Sequence, residues 1–391
     1  MYDYVIIGGG IAGLYTAYRL LSSSRSQIRL VILEKENQVG GRARNELFYG
    51  VKIAVGAGVG RKKKDKLLLK LMRKFRIPVR FYSVKINYFG FNNIDIIKIM
   101  NQLKIEYKKN PLDISFKKFA IEKLGIERYN KFVLSSGYTD FEKENVWSAL
   151  YHYGMDDNVP NWKMFSVPWS VLNDKLANKI GKQRIKLKHN VVKISGSEET
   201  GFTIKTSNSK VFKSRKVIIA STINTVQKLL KSKKLSFQCT LDNITNQQYV
   251  RIYGKFSLNS AVIINKYLKS FTVVKGPLQK IIPMDKDNGV YMICYNDNLY
   301  AKMLKDRVKN SLKNRVYLCK MFRETLGIKE ELDLIAIRGY YWEEGTHYYK
   351  RKPTRVIQSD GGITVVGEMI SINQGWVEGA LESVEKVIDK L

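Results

Sequence analysis

Apolar positions change period several times along this chain, and each change marks an element. Val5-Ile6-Ile7 is a β-branched run that ends at Gly8-Gly9-Gly10; Leu14 to Leu21 follows with amphipathic spacing, and Leu30-Val31-Ile32-Leu33 is a second apolar run. Short continuous apolar runs read as buried strands, so the opening of the chain predicts a strand, a glycine turn, a helix and a strand. Ile114, Phe116, Phe119, Ala120 and Leu124 have the spacing of a helix's buried face. Leu67, Leu68, Leu71, Met72 and Phe75 form the apolar side of another helix, with Lys66, Lys70, Arg73 and Lys74 opposite. Strict alternation through Val250-Arg251-Ile252-Tyr253-Gly254-Lys255-Phe256 predicts a strand with Arg251, Tyr253 and Lys255 on one face. Near the end, the β-branched run Ile363 to Val366 meets Gly367-Glu368, and Ala380, Val384, Val387 and Ile388 recur at helical spacing beyond Trp376.

The opening elements carry chemistry. In a dinucleotide-binding βαβ unit Gly8 makes the tight turn, Gly10 lets the backbone approach a pyrophosphate, and Gly13 lets helix and strand pack closely. The helix that begins around Ala12 then points its N-terminus at the phosphates. Glu34 lies 21 residues beyond Gly13 and closes the second apolar run, where a carboxylate accepts from ribose hydroxyls and disfavours a 2′-phosphate. A glycine turn alone fits many α/β proteins; the acid and the flanking runs at this spacing favour a bound dinucleotide. A short loop later comes Val39-Gly40-Gly41-Arg42, with two glycines that permit backbone contact and a guanidinium suited to a phosphate oxygen.

On these residues the chain resembles the flavin-containing amine oxidase family, in which the second glycine pair and arginine mark FAD rather than NAD. Gly56-Ala57-Gly58 is similar to the family's small-residue segment beside the flavin. Val191 to Ile194 with Val217 to Thr222 resembles its strand pair near the adenine. Val365-Val366-Gly367-Glu368 and Gln374-Gly375-Trp376-Val377-Glu378-Gly379-Ala380 resemble its closing flavin motif. Because motifs at both ends serve one site, the resemblance implies a discontinuous Rossmann-like α/β FAD-binding domain over 1–78, 186–248 and 336–391. An α+β substrate domain, 79–185 and 249–335, fills the gaps.

The resemblance also implies a reaction: oxidation of a small-molecule amine, or a similar C–N or C–H donor, by hydride transfer to the flavin. Two aromatic rings flank the amine in that family. Trp376 falls at one position, and Tyr348, with Tyr349 and Tyr341 as competitors, at the other. Where some relatives bind FAD through a cysteine this chain has His347, and noncovalent FAD is expected. Where many relatives carry a lysine that holds water near the flavin, Arg251 stands closest and Lys255 is the runner-up; a solvated strand face is the alternative for both. An arginine cannot release a proton at ordinary pH.

The 391 residues carry 68 Lys and Arg against 35 Asp and Glu, a formal charge of +33. Bases cluster at Arg61 to Lys64, at Lys228 to Lys234 and at Lys350 to Lys352. A field of this sign slows a cationic substrate's approach unless a local acidic patch overrides it, and it suits a nucleic acid or other polyanion. The alternative to an enzyme is therefore a basic virion or nucleic-acid-associated protein on an FAD-binding scaffold. Lys, Asn, Ile and Tyr richness suggests an AT-rich genome, and Ile281 to Ile293 with Ala301 resembles family members of large cytoplasmic DNA viruses. Three scattered cysteines and three separated histidines offer no disulfide framework and no metal site. The first strand begins almost at Met1 and no run of about twenty apolar residues occurs, so a non-secreted chain in a cytoplasm-like compartment is expected.

Overall fold

In a computed structural model, which describes residues 1–23 and 27–391, the run Tyr2–Ile7 is a strand that feeds two cores. Tyr4 and Ile6 pack with the helix Ile11–Ser23 and with Trp169 and Leu172 of the helix Trp169–Ile180. Val5 and Ile7 pack on the other face with Val226 and Leu230 of the helix Ile223–Leu230. Burial on both faces explains why the run is continuously apolar.

This strand pairs in parallel with Leu30–Leu33 and with Val211–Ile219, which pairs in parallel with Ile363–Val365. The C-terminal strand thus lies two places from the N-terminal one, so glycine turns from opposite ends of the chain open on one sheet edge. Gly201–Thr206 and Val191–Ser197 extend the sheet antiparallel beyond Val211–Ile219. The two strands expected to pair near the adenine are therefore separated by a third.

A second sheet runs in the order Leu334–Tyr349, Ile244–Phe256, Val290–Asp297, Lys280–Asp285, Phe271–Val274, Ile86–Phe89. Its back packs on the helix Leu312–Leu326 through Leu318 and Phe322. A helical layer, Ile96–Lys109, Phe116–Leu124, Ile126–Ser136 and Val146–Tyr151, closes around Phe116, Phe119, Phe132 and Phe141. Ser115 caps the helix Phe116–Leu124, and Phe116, Phe119 and Ala120 of its predicted face are buried. The chain is a mixed α/β fold with a Rossmann-like first sheet.

Two surface expectations fail. Arg61 is 2 % exposed: the strand Val59–Arg61 pairs with Lys163–Ser166 and turns the guanidinium inward, where its ion pair with Asp65 is 2.7 Å long. Lys64 is likewise paired, with Asp156 and Asp157 at 2.6 and 2.8 Å. Nor are Arg251 and Lys255 on a solvated strand face; both are buried, and Tyr253 between them donates to Ala54 O at 2.7 Å.

Candidate active site

A cavity of about 1900 Å³ runs from the first glycine turn to the second sheet. Pockets for drug-sized ligands are roughly 300–1,000 Å³, so this one has room for a dinucleotide and a second small molecule. Gly8, Gly10, Ala12, Glu34, Gly40, Gly41, Arg42, Ala57, Gly58, Val191, Gly367, Glu368 and Val377 line it, as do Arg251 and Trp376. Gly13 does not line it and acts in packing: a Cβ there would stand 2.0 Å from Gly8 O. Gly8 adopts φ +108°, which favours glycine. At Gly10 a Cβ would meet nothing within 4 Å, because that face of the backbone opens on the cavity. Glu34 receives Gly9 N at 2.6 Å and Glu36 N at 2.8 Å, so its carboxylate organises the turn as well as facing the cavity.

Arg42 and Glu368 come from opposite ends of the chain and meet at 2.9 Å. Arg42 Nη1 also donates to Gly345 O at 2.7 Å, and Gly375 N donates to Glu368 at 2.9 Å. His347 Nδ1 is 2.5 Å from Glu368, while Ile223 N donates to Nε2 at 3.3 Å; this network assigns the ring proton to Nδ1. Burial works against a charged Glu368, but His347 and Arg42 outweigh it and hold its pKa at about 2. For His347, burial opposes protonation while Glu368 and Glu344 favour it, and the balance raises its pKa. His347 is fully enclosed in this contact and does not line the cavity, so it is not disposed to link a cofactor.

Tyr348 is a correction to the sequence reading. It is buried beyond the cavity's edge, because the strand end is docked on the helical layer by Asn145 N donating to Tyr349 O at 2.9 Å. Tyr349 lies in a hydrophobic core, and the strand's cavity-facing aromatics are instead Tyr340 and Trp342, opposite Arg251 and Tyr249; Tyr341, opposite Val250, packs on the core behind the sheet. Lys255 also lies outside the lining and binds Asn288. Arg251 sits beside Gly58, where a Cβ would be 3.3 Å from its Nη2, and stacks 4.3 Å from the Tyr295 ring centre. Its buried Nε has no hydrogen-bond partner among the described residues. Trp376 faces the cavity with one side and holds the Arg61 guanidinium 4.0 Å from its ring centre, a residue outside the lining.

Sequence reasoning missed an acidic group in the wall between Trp376 and Arg251. Asp140 and Asp297 both line the cavity, with Tyr138, Tyr153 and Tyr295 around them and buried Lys280 behind. Burial and Asp297 push Asp140 up to about 7, against the Tyr153 hydroxyl and Lys280; burial pushes Lys280 down to about 8, against the two acids. The available signal was local: Asp297 ends the apolar run from Val290, and Asp140 follows a helix through Gly137.

Residues 6–75 match the NAD(P)-binding Rossmann-like domain, and residues 106–257 match the flavin containing amine oxidoreductase domain. An uncharacterized protein of Acanthamoeba polyphaga mimivirus is 20% identical, over 99% of this chain and 93% of its own length. Among solved structures, a double mutant of putrescine oxidase redesigned in cofactor binding superposes with a TM-score of 0.77 at 14% identity, covering 100% of this chain and 98% of that one. Wild-type putrescine oxidase bound to putrescine gives 0.75 at 12% identity, with the same coverage. No helix among the described residues is long and apolar enough to cross a membrane.

Proposed function

We propose, on the match of residues 106–257 to the flavin containing amine oxidoreductase domain, that the chain is an FAD-dependent oxidoreductase acting on an amine. The observation that carries this reading is the single cavity that joins the Gly8–Gly10 turn to Arg251 and Trp376. The residues fit FAD. Gly10 leaves an open cradle where a side chain would project, and the 13-residue helix behind it has no acid in its first turn to repel phosphate. Glu34 suits the adenosine ribose, Arg42 and Gly40-Gly41 the phosphates, and Gly367 with the main chain before Val377 the far end. Bound FAD supplies the hydride acceptor. Trp376 offers an aromatic face to the donor, and Arg251 contributes a fixed positive charge near Ala57-Gly58 that favours an anionic neighbour. Tyr340 and Trp342, which line the cavity across the strand pair from Arg251 and Tyr249, are better placed as the second aromatic than Tyr348.

Purified protein is expected to be yellow, and an anaerobic absorbance screen against a panel of amines should bleach the flavin with at least one of them. Trp376→Ala should keep the colour and lose most of that reduction. If no amine reduces bound flavin, the amine-oxidising reading fails. The mimivirus relative supports a viral setting for the protein.

A further inference from the structure

Most free amines are ammonium ions at neutral pH, and an ammonium has no nitrogen lone pair to assist loss of hydride from its α-carbon. Some group must take a proton. Arg251, nearest the small-residue segment, cannot do so. The contacts around the inner chamber lead to another group. Trp376 Nε1 donates to Tyr153 O at 3.5 Å, and the Tyr153 hydroxyl donates to Asp140. On the far side Arg251 stacks on Tyr295, Tyr295 meets Tyr138 edge-on at 5.9 Å, and Lys280 Nζ lies 3.3 Å from the Tyr138 ring centre. Asp140 therefore faces the space that lies between Trp376 and Arg251.

We propose that Asp140 is the catalytic base that takes the proton from an ammonium substrate held in this chamber. The N–H bond breaks with its electron pair left on nitrogen, an O–H bond forms on the Asp140 carboxylate, and no oxidant is needed for the step. The proposal rests on the amine-oxidising reading above. Its neighbours single Asp140 out. Asp297 is engaged by Thr139 N at 3.2 Å, by the Thr139 hydroxyl and by the charge of Lys280. Lys280 does not line the cavity, and its ammonium donates to Gly137 O. The phenols Tyr138 and Tyr153 are held neutral by burial, and Glu144, whose carboxyl pKa is raised by burial and by Asp140, lies outside the lining. Asp140 has one side-chain donor among the described residues, Tyr153, and keeps acceptor capacity toward the chamber. An acid poised near neutrality is suited to proton transfer. The low-dielectric chamber beside Arg251 favours an uncharged amine and carboxylic acid over an ion pair.

Two measurements test this. Infrared difference spectra on adding tert-butylamine, which has no α-hydrogen, should show a protonated-carboxyl C=O band in the wild type that is missing in Asp140→Asn. In stopped-flow reduction by the best amine of the panel, Asp140→Asn should be slower by about 100-fold at pH 7. The deficit should shrink as pH approaches the amine's own pKa, and Asp140→Glu should restore much of the rate. Tyr153→Phe, which removes the hydroxyl but no charge, should move the acid limb of the profile upward. No carboxyl band, or an Asp140→Asn profile parallel to wild type, overturns the proposal. A band without flavin reduction by any amine leaves Asp140 as a proton acceptor and sinks the oxidase reading instead.

Discussion

Gly10 and Gly13 stand three residues apart in one turn and answer to different neighbours. A Cβ at 13 meets the Gly8 carbonyl at 2.0 Å, so Gly13→Ala must push helix from strand; a cost of about 1–3 kcal/mol outweighs the gain of about 1 kcal/mol in helix propensity. A Cβ at 10 meets nothing in the protein. Gly10→Ala should therefore unfold in urea within about 0.5 kcal/mol of wild type yet retain far less flavin per mole of protein. Equal flavin content in the two proteins would remove the phosphate-cradle assignment. Glu368 gives a pH-dependent counterpart. Its pKa falls from 4.5 to about 2 on folding, so its contribution is complete above 4.5 and is lost as pH falls toward 2. That is worth roughly 3 kcal/mol, and Glu368→Gln, which strands Arg42 without its counter-charge, should cost about that much at pH 7 and much less at pH 3. Urea midpoints at the two pH values check it.

At the scale of elements, two helices from opposite ends of the chain share a cap. The helix Lys66–Lys74 has Asp65 at its N-cap position, but that carboxylate is taken by Arg61, and Leu67 N and Leu68 N instead donate to Glu378 at 2.7 and 3.0 Å. Burial, with Asp65 and Glu382, raises Glu378 to about 7 against those amides. A carboxyl whose pKa rises on folding stabilises less as pH climbs from its unfolded value through its folded one, here from about 4.5 to about 7. Glu378→Gln keeps an acceptor oxygen and removes that slope, so it should equal or exceed wild-type stability at pH 8. Glu378→Ala should lose about 1 kcal/mol and speed hydrogen exchange at Leu67 and Leu68. Elements of this kind also mark how far the chain could be read. The opening strand, turn and helix, the helix at Phe116 and the closing run at Ile363 were legible because apolar period and, at the two ends of the chain, glycine agree locally. Tyr348 was misplaced because its side of the strand is decided by a contact from Asn145, distant in sequence. Asp140 and Lys280 were invisible for the same reason: their chemistry exists only where separate strands and a helical layer converge.

For the molecule as a whole, charge is the term that burial and pairing do not balance. The outer face of the antiparallel strands Val191–Ser197, Gly201–Thr206 and Val211–Ile219 is a concentrated instance. Lys193 stands directly opposite Lys205, Lys213 lies across from Thr203 on the same side, and all three lysines are exposed. Directly opposed like charges destabilise a sheet, by up to about 1 kcal/mol, unless something screens them. Salt does so over a Debye length of about 10 Å at 0.1 M, so the Tm should rise with added salt, and Lys193→Glu should raise it most at low salt. A polyanion screens the same face better. If the +33 charge serves a nucleic acid, duplex DNA should bind with an affinity that falls steeply with salt, and the triple change of Lys193, Lys205 and Lys213 to Glu should flatten that dependence while leaving flavin content unchanged. Absence of binding at low ionic strength would assign this face to solubility alone. A triple variant with an unaltered salt slope would move the footprint elsewhere, to the lysines around the helix Ile223–Leu230.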